Sequence, residues 1–102
     1  MYEEAVKVAI AHYCHLENGD YEEWLRTLTK ELQESADVRG SSPHFWWKTG
    51  RRYVVKYGVH YEFYRIDLNQ STETRVKMFF KRLNPDGTPR GNPVPIRLVK
   101  EN

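Results

Sequence analysis

Residues 10–28, IAHYCHLENGDYEEWLRTL, decide the fold, because they set a stop and a restart between two helical patterns within three residues. Asn18-Gly19 is a C-terminal stop of the kind in which glycine takes a left-handed conformation, and Asp20 with Glu23 three residues on forms a capping box. Upstream, Ala5, Val8, Ala9, His12 or Tyr13, and Leu16 recur at intervals of three and four, so a first helix runs from Glu3 to Leu16. Downstream, Tyr21, Trp24, Leu25, Leu28 and Leu32 make the buried stripe of a second helix, with Glu22, Glu23, Arg26, Lys30 and Glu31 left for solvent. Helices joined this tightly form an angled pair with a common apolar face.

Working outward, Gln33 to Ser42 has no periodic pattern and reads as a loop. Ser42 as N-cap and Pro43 at the first helical position start a short helix through HFWWKT, which Gly50 ends. Beyond it the period changes to two: Tyr53, Val55, Tyr57, Val59, Tyr61 and Phe63 share one face of a long strand. The phase then flips to Tyr64, Ile66 and Leu68, which predicts a bulge near Phe63-Tyr64 or a strand covered on both faces. Asn69-Gln70-Ser71 makes a turn, and Val76, Met78 and Phe80 mark the next strand. NPDGTPRGNP, from Asn84 to Pro93, is dense in turn formers and precedes a strand carrying Val94, Ile96 and Leu98. Pro95, which cannot donate to a ladder, puts that strand at an edge or gives it an irregular start. The class is α+β: N-terminal helices packed on a curved antiparallel sheet.

The chain has 102 residues and 39% hydrophobic content, enough for one core and too little for two. Aromatic residues, at 14%, supply the large buried areas a small domain needs. Cys14 is the single cysteine, and no zinc-ligand spacing accompanies it, so neither a disulfide framework nor a structural zinc site is supported. MYEEAVKVAIAHY lacks a basic segment followed by an apolar run, and no stretch approaches the roughly 18 apolar residues of a membrane helix. The expectation is a cytoplasmic protein, or a domain of a larger one, without membrane association. The net charge of +2 hides a division. Residues 1–40 carry 4 Lys/Arg against 9 Asp/Glu, and residues 41–102 carry 12 against 5. A basic half is either a footprint for a polyanion or the ordinary complement of acidic helices.

IAHYCHLENGDYEEWLRTL resembles the Tyr…Leu-x-x-Gly-Asp-Tyr helical pair of the nuclear transport factor 2-like superfamily, and PIRLVKEN resembles its last strand. The resemblance implies one such domain over residues 1–102, a cone-shaped, cystatin-like roll, lacking the Trp-containing strand end that often follows in the family. The sheet edge left open implies a homodimer through the sheet. The cone implies a cavity that takes a small apolar molecule, lined by Tyr13, Trp24, Trp46, Tyr57, Tyr61 and Phe63. Resemblance to the small subunit of ring-hydroxylating dioxygenases adds weight to this ligand-binding or interaction module.

An alternative is a SnoaL-like isomerase, cyclase or hydrolase on a small apolar substrate, with His12, Asp37 or Asp67 as its polar groups. Enolising chemistry needs a base beside a carbonyl and a donor for the enolate oxygen. Aligned on Leu16 and Gly19-Asp20, the family's oxyanion tyrosine falls at His12 and its catalytic aspartate at Ala36, so neither matches. His12 with His15, and His60 with Glu62, offer two metal ligands each where three or four are needed. No metal or cofactor is expected. A second alternative, ranked last among the partners, is nucleic acid on a basic sheet carrying Lys48, Arg51, Arg52, Arg75, Lys77 and Lys81 between aromatic residues.

Overall fold

The computed structural model describes residues 1–101. Helix α1 spans Glu3–Asn18 and ends as its sequence demands: Gly19 adopts φ 74°, and the Asp20 amide returns to His15 O at 2.9 Å. Asp20 Oδ1 accepts from Glu23 N at 3.2 Å and starts α2, Tyr21–Arg26. The single second helix expected through Leu32 is instead two short ones, because threonine hydroxyls compete for the backbone. Thr27 Oγ1 donates to Trp24 O at 2.6 Å, closing α2, and Thr29 Oγ1 accepts from Leu32 N at 3.3 Å, opening α3 at Lys30–Ser35.

The main departure from the sequence reading is α4, Ser42–Tyr57. Ser41, rather than Ser42, is its N-cap, and Gly50 does not end it. Gly50 sits in mid-helix because α1 crosses there: a Cβ at this position would lie 2.7 Å from Leu16 Cδ2. Gly58, at φ 64°, is the actual stop, with its amide on Val54 O at 3.0 Å and the Val59 amide on Tyr53 O at 3.4 Å. The strand expected from Tyr53 therefore begins at His60. The alternation over residues 53–57 is a coincidence of period, since Tyr53 and Tyr57, four apart, also share one face of a helix; their rings stand 5.9 Å apart.

Strands β1 (His60–Ile66), β2 (Arg75–Leu83) and β3 (Val94–Val99) form an antiparallel sheet in that order. The register of β1 on β2 shifts between Phe63 and Arg65, where the flip of apolar phase predicts a bulge. Pro95 lies on the edge strand β3, opposite Phe79. The inner face presents Val76, Met78 and Phe80 with Tyr61, Phe63, Val94, Ile96 and Leu98 to a layer of helices, and Ala9, Tyr13, Leu16 and Trp24 complete the core. The architecture is thus α+β, helices packed against a three-stranded antiparallel sheet.

Candidate functional site

Period two fixes what the other face of the sheet must carry. With Val76, Met78 and Phe80 inward, Arg75, Lys77, Phe79 and Lys81 point outward from β2 at intervals of about 6.7 Å. Pairing adds Arg97 directly opposite Lys77, and Val99 opposite Arg75. The bulge in β1 brings Arg65 opposite Phe79. Five cations, Arg65, Arg75, Lys77, Lys81 and Arg97, therefore share one face with two acids: Glu62 pairs in register with Lys81, and Asp67, whose amide donates to Lys77 O at 2.9 Å, follows inward Ile66 beside Lys77. Among the described residues none of the five has a carboxylate within salt-bridge distance.

The aromatic side chains of this face hold the cations in place. The Arg65 guanidinium lies 4.5 Å from the centre of the Phe79 ring, the Lys77 ammonium 5.3 Å from the same ring, and the Lys81 ammonium 4.7 Å from that of Tyr64. Contact with a ring face consumes none of a guanidinium's N–H donors. Lys77 and Arg97 face each other across the ladder, where like charges destabilise pairing.

The residues singled out from sequence scatter over the molecule. His12 is part-buried on α1 with Nδ1 2.8 Å from Thr27 Oγ1. Since that hydroxyl gives its own proton to Trp24 O, Nδ1 must carry the imidazole proton. Burial, and then the neighbouring His15, push the His12 pKa down to about 4. Asp37 is exposed and accepts from the Tyr21 hydroxyl, whose pKa burial and this bond raise to about 12. Asp67 lies at the end of β1, its backbone engaged with Lys77 and Ser71. These three share no hydrogen-bond partner and stand on different elements.

Of the six suggested lining residues, Tyr13 and Tyr61 stack at 4.4 Å, and both Tyr13 and Phe63 pack on Phe80. Burial raises the Tyr13 and Tyr61 hydroxyls above the ordinary phenol range. Trp24 is fully buried against Trp47, Tyr21 and His12. Tyr57 ends α4 under the Arg90 guanidinium at 3.9 Å, and Trp46 is exposed on the same helix, so neither joins the others. Of the adjacent tryptophans, Trp47 faces the core.

Lys48, Arg51 and Arg52, expected on a sheet, lie on α4. Arg51 Nη1 donates to Leu16 O at 2.7 Å and Glu17 O at 3.0 Å, satisfying carbonyls at the end of α1. Arg65 and Arg97 are not among the basic residues the sequence singles out; the signal for one is the bulge and for the other strict alternation with Ile96 and Leu98. His60 Nδ1 pairs with Glu17 Oε1 at 2.9 Å, and exposed Cys14 Sγ accepts from the Asn18 amide at 3.6 Å. Among the described residues no helix is long and apolar enough to cross a membrane. Comparisons with protein-family models, curated proteins and solved structures give no match.

Proposed function

We propose that this domain binds nucleic acid through the outer face of its sheet. The observation that carries the reading is the set of five cations, Arg65, Arg75, Lys77, Lys81 and Arg97, against two acids on one face, with no ion pair formed by any of the five among the described residues and two of them directly opposed. A solvated face would interleave acids, as α1 and α2 do in their Lys7–Glu4 and Arg26–Glu23 pairs. Phosphates neutralise such a face with release of counterions, so affinity depends steeply on salt. Fluorescence anisotropy with labelled mixed-sequence oligonucleotides tests this. Five phosphate contacts give a slope of log affinity against log salt of about −3.5 to −4.5, and Lys77→Gln with Arg97→Gln lowers its magnitude by about 1.5. Absence of binding at low salt sinks the reading.

A second reading is the interaction module implied by resemblance to the nuclear transport factor 2-like superfamily, with a homodimer through the sheet. The open outer edges of β1 and β3 favour it. Edge-to-edge pairing suits it, since face-to-face stacking would oppose like charges. Sedimentation at increasing concentration tests it, and a monomer throughout rules it out.

A further inference from the structure

We propose that the nucleic acid this domain binds carries unpaired bases, which stack on Phe45 and Trp46 in a groove at the start of α4; this rests on the reading of the sheet face given above. Phe45, Lys48, Thr49 and Arg52 recur at the spacing of one helical face, so α4 lays an aromatic ring and two cations along a single stripe. Trp46 adjoins it, and Arg39 and His44 complete an open groove of about 700 Å³ whose lining contains no carboxylate. Phe45 is 62% exposed and Trp46 46%. Two neighbouring large rings exposed to this degree form an apolar patch of the kind that marks an interaction surface.

The two basic surfaces differ in what covers their aromatic rings. On the sheet, Tyr64 and Phe79 lie under Arg65, Lys77 and Lys81. On α4, Trp47 is taken up by Tyr21, Trp24 and Arg51. Phe45 and Trp46 have no aromatic or cationic side chain stacked on them among the described residues, and both rings reach solvent. The sheet is therefore equipped for phosphates and the groove for bases. An acidic polypeptide would satisfy the cations of the groove, but flat rings set between cations fit a polymer that alternates a charge with a flat apolar surface, as a single strand does.

The experiment compares a labelled single strand with the matching duplex on the whole chain and on three variants. Phe45→Ala with Trp46→Ala, both at exposed positions, is expected to leave the unfolding midpoint unchanged, weaken single-strand binding about tenfold or more, and leave duplex binding as it was. Single strand should also change tryptophan emission, an effect lost in Trp46→Phe. Unaltered single-strand affinity in the double variant overturns the inference, as does preference for duplex, or an emission change given by a Glu-rich peptide and not by the single strand. The sheet reading survives those outcomes if Lys77→Gln with Arg97→Gln still weakens binding, and falls if that variant binds as the parent does or if neither oligonucleotide binds.

Discussion

A Cβ on Gly50 would lie 2.7 Å from Leu16 Cδ2 and 2.9 Å from Leu16 Cδ1, so α1 and α4 cross at the only residue of α4 that has no side chain. Leu16 is almost fully buried and cannot swing into solvent to relieve an added methyl. Gly50→Ala gains about 1 kcal/mol of helix propensity but incurs overpacking of about 1–3 kcal/mol. The expected result in urea is a net destabilisation of about 1 kcal/mol. A variant more stable than the parent would show that the helices separate freely.

His12 makes stability depend on pH. Its pKa is about 4 in the folded chain against the ordinary histidine value of 6.5, so between these values the unfolded state binds more protons. Stability is therefore full above about pH 6.5 and declines as pH falls towards 4, by roughly 3 kcal/mol in all. His12→Gln, which keeps a donor for Thr27, should flatten the curve in that window. Equal pH dependence in both proteins would remove His12 as the cause.

Lys77 and Arg97 oppose each other across β2 and β3, so removing one charge should help the fold while harming the proposed function. Arg97→Gln is expected to leave stability unchanged or raise it by up to about 0.5 kcal/mol at low salt. The gain should shrink as salt screens the pair. A clear loss of stability in thermal unfolding would mean that the face is already neutralised within the chain.

Arg51 ties α4 to the end of α1 through Leu16 O and Glu17 O. Arg51→Ala leaves those carbonyls to water and should cost about 1–2 kcal/mol, with Arg51→Lys intermediate. Hydrogen exchange in the last turn of α1 should accelerate with it; unchanged exchange there would assign Arg51 to the surface alone.

Little of the candidate site was legible in the sequence. Arg75, Lys77 and Lys81 alternate with Val76, Met78 and Phe80, and that local pattern is enough to place them outward. Arg51 and Arg52 fall on helix beyond the end expected at Gly50, because Tyr53, Val55 and Tyr57 satisfy period two while Tyr53 and Tyr57 also satisfy period four. Arg65 depends on where the bulge falls, and the pairing of Arg97 with Lys77 on a register that no single strand contains.

What the residues settled unaided was whatever acts over a few positions of chain: the Gly19 stop, the Asp20 cap with Glu23, and the inward apolar set of β2. Tertiary contact decided the rest. Gly50 looks like a helix end until Leu16 is seen to require its missing side chain, and basic residues from three separate strands become one surface only when the ladder aligns them. Caps and periodicity are short-range properties of the backbone, whereas a crossing point and a cross-strand charge pair exist only between segments far apart in sequence.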